Sequence, residues 1–444
     1  MFNIKSKLLA TAAAIFCAGL AMAQDSGALI DLLVKKGVIN DQEAEELRAE
    51  LTKDFASTSA GKLNLSSAMS ELRIAGDVRV RFESRTGVLP NGDAAERDRY
   101  RYRFRAGLTG KMANDWSWGF RLETATGSRS SNVTMGDDAG PFAKTSDTVN
   151  VGQIWAQWTP SSNFTLTVGR MPNPLVSTLM VWDADINPEG IAEQYKHRDG
   201  KLEYSATLGQ FLYSAASTQN AFASGATPGA KTDDLLMCAW QAGLKYYTGE
   251  GTAQFFQINP TIYTYVQRNN FNPAAFKGVF SAANGAAVND LTVLDVPLEY
   301  DWAIGGVPVR AFGDFAINFN ADDRATKWGR PDLSNQDKAW QVGFQYGKAA
   351  NKGEWDAKVF YQSTGAFALD PNLVDSDIWD SRTNMKGWVF TGNYALGAAT
   401  TFAATVGRAD RVNSTIVAPG SGDLGTNNAL NKYWLFQADL IVKF

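Results

Sequence analysis

Arginine stands at every second position in RDRYRYRFRAGL, the stretch from Arg97 to Leu108. Tyr100, Tyr102, Phe104, Ala106 and Leu108 fill the alternate places. A guanidinium carries a permanent charge and a planar fork of donors, so its chemistry is the recognition of carboxylates, phosphates and other anions. A period of two puts Arg99, Arg101, Arg103 and Arg105 on one face of a strand and the aromatics on the other. The stretch LRIAGDVRVRF repeats the device. There Leu72, Ile74, Val78, Val80 and Phe82 share one face, and Arg79 and Arg81 lie on the opposite face with Arg73 and Asp77. Basic residues interleaved with aromatics suit a nucleic-acid surface. They suit equally a strand that meets lipid on one face and water on the other.

Charge and the amino terminus separate these readings. The first residues, MFNIKSKLLATAAAIFCAGLAMAQ, place Lys5 and Lys7 before an apolar run that ends in Ala21-Met22-Ala23. Residues 1–23 are therefore expected to be a cleaved export signal, the run being too short for a membrane span. The formal net charge is −4, and removing two lysines makes it more negative. An acidic exported chain is poorly suited to nucleic acid. Cys238 is the one cysteine beyond the signal, so an intrachain disulfide is not expected.

The elements that would carry the arginines are strands. Period-two segments recur about sixteen times from Leu72 onward, with no apolar run long enough for a spanning helix. The links between them alternate in length. Residues 85–97, 128–148, 172–188, 214–233, 269–290, 320–337, 365–386 and 409–431 are long links. Residues 113–115, 159–163, 198–200, 248–251, 304–306, 348–353 and 397–399 are short ones. Short periplasmic turns and long external loops mark outer-membrane barrels, which have an even strand number. The expectation is an all-β, transmembrane antiparallel barrel over 71–444, with both termini periplasmic and long loops extracellular. Trp116, Trp118, Trp158, Tyr246, Trp302, Trp355, Trp388 and Trp434 sit near strand ends, where aromatic girdles would meet the membrane interfaces.

The chain resembles the bacterial "putative porin" family of outer-membrane channels. The resemblance rests on LRIAGDVRVRFE, VGRMPNPL (168–175), VWDADINPEGIA (181–192), VDSDIWDSRTNMKGW (374–388) and the aromatic carboxyl terminus. It covers roughly residues 71–444 and implies passive diffusion through a β-barrel without defining the solute. Trp434, Phe436, Leu440, Val442 and Phe444 alternate in the last strand. They look like the C-terminal signal by which the barrel-assembly machinery recognises such proteins. Other partners expected are outer-membrane lipid and small hydrophilic solutes, and porins of this size are often homotrimers.

Residues 24–53 read as a short periplasmic helical hairpin. Leu29, Ile30, Leu32, Leu33 and Val34 precede a stop at Gly37. Asn40 or Asp41 would cap a second helix with Glu43 in its first turn and Ala44, Leu47 and Leu51 as its stripe. Two such helices are too small for a core of their own, so they would pack on the barrel mouth, a neighbouring subunit or the cell wall. Residues 54–70 read as a linker.

The site expected from these residues is a charged constriction. Arg79, Arg81, Arg99, Arg101, Arg103 and Arg105 would line the lumen, because an arginine facing lipid costs about 2–4 kcal/mol near the midplane. Asp77 and Glu83 are too few to neutralise them, so a net basic patch should remain. Asp183, Asp185 and Glu189, on the third long loop, would face the patch across the pore. Aromatics such as Trp155 or Tyr263 could instead form rails for sugars in a solute-specific channel, and a structural or adhesive barrel is a further alternative. No cofactor is expected, although DADINPE (183–189) and DSDIWD (375–380) could hold structural Ca²⁺. An enzyme is not expected: the single histidine, His197, falls at a short turn and no triad or zinc pattern surrounds it.

Overall fold

In the computed structural model, the residues described are 30, 33–36, 39–40, 42–48, 66–125, 130–137, 148–214, 234–266, 280–281, 287–288, 291–416, 424 and 430–444. The expected signal and most of the expected linker lie outside them. The chain divides into two units, Met1–Ser67 and Ala68–Phe444.

In the first unit, residues 42–48 are helical. Asn40 Oδ1 accepts from the Glu43 N–H, and Glu43 Oε2 accepts from the Asn40 N–H, both at 2.9 Å. This reciprocal capping box satisfies two donors that the helix start would otherwise leave bare.

The second unit is a closed antiparallel barrel of 16 strands. They are β1 (Met69–Val88), β2 (Ala94–Met112), β3 (Trp116–Ala125), β4 (Thr148–Ser161), β5 (Phe164–Arg170) and β6 (Glu189–Asp199). Next come β7 (Leu202–Ser214), β8 (Leu235–Tyr247), β9 (Phe255–Ile258 with Thr261–Val266) and β10 (Thr292–Asp295 with Leu298–Ile304). The circuit ends with β11 (Val307–Asn318), β12 (Lys338–Gly347), β13 (Trp355–Thr364), β14 (Met385–Gly397), β15 (Thr400–Arg411) and β16 (Lys432–Lys443). β16 pairs with β1, with Leu440 opposite Val80, so no sheet edge is left open. Closure lets every backbone polar group of the wall pair within the protein, as a lipid environment demands.

Two features depart from the pattern read in the sequence. The first link is not a long loop. β1 and β2 pair as far as Val88 and Ala94, and only Leu89–Asp93 turns between them. β16 supports the extension, since Trp434 lies opposite Thr86 and Tyr433 opposite Gly87. β9 and β10 are also interrupted, at Asn259-Pro260 and Val296-Pro297, where proline has no N–H for the ladder.

Outside, Ile74, Val78, Val80, Phe104, Ile154 and Val442 are exposed and form part of an apolar belt. Trp116 and Trp158 stack at 6.3 Å near the short turns, with Trp355 exposed at the same end. Trp388 is exposed toward the long-loop end. Inside, links 171–188 and 365–384 fold into the lumen. Leu175, Met180, Val181 and Trp182 of one, with Leu369, Leu373 and Val374 of the other, join Phe211, Met237, Tyr263 and Val293 of the wall in one apolar cluster. The interior is thus part core and part polar lumen, and it is the polar part that carries the arginines.

Candidate functional site

The pleat of β1 and β2 delivers the arginines inward. Arg79, Arg81, Arg99, Arg101 and Arg103 are buried, Arg105 is half-buried, and Tyr100 is 61% exposed on the outer face. In register, Arg79 lies opposite Arg103, Arg81 opposite Arg101, and Glu83 opposite Arg99. Arg85 continues the stripe toward the long-loop end and is buried. So many guanidinium groups repel one another unless acids lie between them.

Wall carboxylates supply part of that charge. Asp77 accepts from Arg103 and Arg105, each at 2.7 Å. Glu83, fully buried, lies 2.5 Å from Arg99, 3.0 Å from Arg85 and 3.5 Å from Arg101. Asp439 of β16 receives Arg81 through Nε at 2.6 Å and Nη2 at 2.8 Å, the forked geometry of the strongest such pairs.

The folded-in links supply the rest, but not as the sequence suggested. Asp185 lies 3.5 Å from Arg105 and 3.8 Å from Arg103. Asp183 does not meet an arginine. It is buried against the other link, where its Oδ2 accepts the Ser376 N–H at 3.0 Å. Burial first, and the Asp185 charge second, push its carboxyl up to about 6. Glu189 lies at the start of β6 and pairs with Arg170 on β5, away from the stripe. It lines the same cavity as Asp185, but its carboxylate is taken by Arg170 rather than by the stripe.

The larger acidic contribution comes from link 365–384. Asp377 sits 2.5 Å from Arg81, 3.3 Å from Arg85 and 4.0 Å from Arg101. Asp380 pairs with both Arg85 and Arg382. Trp379, Asp380 and Ser381 hold φ of 53°, 57° and 57°, a left-handed run that costs roughly 1–2 kcal/mol per residue for L side chains. The two ion pairs of Asp380 stand against that strain. Altogether Arg81, Arg85, Arg99, Arg101, Arg103, Arg105 and Arg382 meet Asp77, Glu83, Asp185, Asp377, Asp380 and Asp439. The expected surplus of positive charge is mostly cancelled. Arg79 bonds instead to the neutral Asn132 Oδ1. The DSDIWD stretch displayed Asp377 and Asp380 in the sequence, and the apolar Phe367, Leu369, Val374, Ile378 and Trp379 around them were the signal that the link is buried.

The two links are tied to each other. The Asp183 N–H donates to the Leu373 carbonyl at 2.6 Å, and the Asp375 N–H donates to the Leu179 carbonyl at 3.2 Å. A cavity of about 660 Å³ lies on the long-loop side, bounded by Glu123, Asp185, Tyr213 and Asn372. Another of about 480 Å³ lies on the short-turn side, bounded by Gln257, Arg310, Gln345 and Lys358. Trp182 lines both. Of the suggested aromatic rails, Tyr263 is buried beneath Trp182, their rings 6.4 Å apart, and does not face either cavity.

The acids proposed for Ca²⁺ are engaged otherwise. Asp375 Oδ1 accepts two backbone N–H groups, from Asp377 and Ile378, while Asp377 and Asp380 hold guanidinium groups. Among the described residues, no group of three or more Asp, Glu, His or Cys is arranged to hold a metal. His197 is exposed beside Asn163 at 3.1 Å. Phe436, Leu440, Val442 and Phe444 face outward, and the Phe444 backbone exchanges both hydrogen bonds with Gly76.

Known structures place this architecture. OprB of Pseudomonas putida aligns over 84% of this chain and 94% of its own, at 10% identity and a TM-score of 0.51. An anion-selective porin from Comamonas acidovorans aligns over 84% and 99%, at 9% identity and a TM-score of 0.47. OmpF of Salmonella typhi, in complex with daunomycin, aligns over 86% and 99%, at 11% identity and a TM-score of 0.46. At 10% identity the likeness to OprB speaks to fold alone. No curated protein sequence matches the chain. A model of the family described as "Putative porin" matches residues 82–273 and 283–426, which takes in most of the barrel, the arginines of β2 and both folded-in links, and the chain belongs to that family.

Proposed function

We propose that the protein is an outer-membrane diffusion channel whose narrowest part lies along residues 182–185. Small hydrophilic solutes and ions pass there between the two cavities. The observation that carries the reading is the meeting of wall and loop charge: Arg103 and Arg105 on one side, Asp185 on the other. Facing charges of opposite sign order polar solutes and set selectivity in a pore. Because acids nearly balance the arginines, the selectivity is weak, with a small lean to anions. Both termini are periplasmic and the long loops extracellular in this reading, the usual arrangement of short and long links.

Reversal potentials in a salt gradient test it. Replacing Arg101 and Arg103 by Glu shifts the potential toward cations, and replacing Asp185 and Asp377 by Asn shifts it toward anions. The reading is wrong if neither pair moves it at low salt, where screening is weakest. A solute-specific channel is the second reading. Amides and aromatics, including Asn173, Gln257, Gln345, Trp182 and Phe312, line the short-turn cavity and would suit neutral polyols. A liposome-swelling panel of sugars matched in size separates the two.

A further inference from the structure

Behind the loop, away from the arginine stripe, four adjacent strands bring a second polar group inward. Tyr263 of β9, Asp295 of β10, Asp314 of β11 and Gln341 of β12 are all buried. Their registers join them: Thr261 lies opposite Asp295, Asp295 opposite Ala316, and Asp314 opposite Gln341. The two carboxyl groups are within hydrogen-bond reach of each other. Thr178, from link 171–188, closes the group by donating its hydroxyl to Asp314 Oδ2.

The hydrogen bonding within the group is incomplete. Both oxygens of Asp295, Oδ1 of Asp314, Oη of Tyr263 and Oε1 of Gln341 are buried without a hydrogen bond of acceptable geometry. Among the described residues, neither aspartate has a Lys or Arg within ion-pair distance. Two buried carboxylates with no counter-charge are untenable, because each is penalised by desolvation and by the other. A proton shared between them relieves their repulsion but leaves Tyr263 Oη and Gln341 Oε1 without partners. A cation gathers them all. The set is entirely oxygen, two acidic and the others neutral, which selects a hard divalent ion such as Ca²⁺ over a thiophilic or imidazole-seeking metal.

We propose that Asp295, Asp314, Tyr263 and Gln341 form a divalent-cation site that fastens link 171–188 to the barrel wall. Thr178 connects the site to the link, and Trp182 lies over Tyr263 with its ring centroid 6.4 Å away. Thr178 and Gln341 also line the short-turn cavity, which gives an ion its route from water. The role is separate from the charge of the arginine stripe.

Terbium luminescence tests the site, since Tyr263 and Trp182 would sensitise a bound ion. Full-length protein in detergent, stripped with chelator, is titrated with Tb³⁺. The expected result is saturable green emission that Ca²⁺ competes away and that Asp295→Asn with Asp314→Asn lowers at least tenfold in heat-modifiable, folded protein. If that double variant does not fold, Asp314→Asn alone is used, and it should weaken Tb³⁺ binding at least tenfold. Emission equal in wild type and folded variant overturns the proposal. So does wild-type protein that binds no Tb³⁺, the behaviour of a proton-sharing pair.

Discussion

Asp377 reaches 2.5 Å from Arg81, although 296 positions of sequence separate the two and one belongs to a loop, the other to the first strand of the wall. This contact fastens link 365–384 across the lumen. Removing one partner of a buried pair costs roughly 3–5 kcal/mol because the other charge is stranded. Here Asp439 and Glu83 remain beside Arg81, so the expected loss is smaller. Asp377→Asn should lower the heat-modification midpoint, enlarge single-channel conductance and shift selectivity toward anions. Arg81→Gln alone also strands Asp439 and should cost more, and the double variant should lose less than the sum of the two single losses. Additive losses in the double variant would mean that the pair does not hold the loop.

The links can turn inward only where the backbone permits. Gly169 and Gly190 face each other across β5 and β6, with φ of 121° and 151°. A Cβ on either would strike the carbonyl of the next strand, that of Ile154 or of Gln210. Gly190→Val should therefore displace the start of β6 and loosen link 171–188. Noisy, enlarged channels in bilayer recordings are the expected sign. Quiet wild-type channels would show that the wall absorbs the change.

Asp183 gives the channel a pH dependence. Its buried carboxyl is raised to about 6 from an ordinary 3.8, so it is charged at pH 7.5 and neutral at pH 5. Acidification should remove one negative charge near the constriction and move the reversal potential toward anions, with a midpoint near pH 6. Asp183→Asn should sit at the low-pH value throughout. An unchanged pH profile in that variant would assign the dependence elsewhere.

Phe444 closes the barrel at its last residue. Its ring lies over Gly76, stacks with Phe104 at 6.3 Å, and would collide with any Cβ at position 76. Deleting Phe444 should lower the amount of heat-modifiable protein in the outer membrane. Gly76→Val should do the same, since its side chain would strike both the Arg105 carbonyl and the ring. Wild-type levels in both variants would remove the terminal aromatic from assembly.

Link length predicts sidedness. Epitope tags within 214–233 or 409–431 should be labelled on intact cells, and a tag within 348–353 only after lysis. Equal labelling, or the reverse, would overturn the orientation.

The sequence by itself determined the wall. Period-two alternation in Arg79–Phe82 and Arg99–Phe104 fixes which side chains face lipid, because a charged side chain cannot face hydrocarbon and a strand offers just two faces. The recurrence of period-two segments likewise set the strand count at about sixteen, since each turn must return the chain across the same thickness. Local rules also found the Asn40–Glu43 cap, where donor and acceptor are three residues apart. What tertiary structure decided is how the charges are spent. Asp439 meets Arg81 because closing the barrel brings the last strand beside the first. Asp377 and Asp380 meet the stripe because link 365–384 buries Leu369, Leu373 and Val374 against the far wall. No local period encodes either event. Glu189 was assigned to the constriction from its closeness to Asp185 in sequence, yet it opens β6, where Arg170 on the neighbouring strand takes its carboxylate instead of the stripe. The grouping of Tyr263, Asp295, Asp314 and Gln341 is more remote still. Those residues lie on four separate strands, and only the register between neighbours sets them side by side.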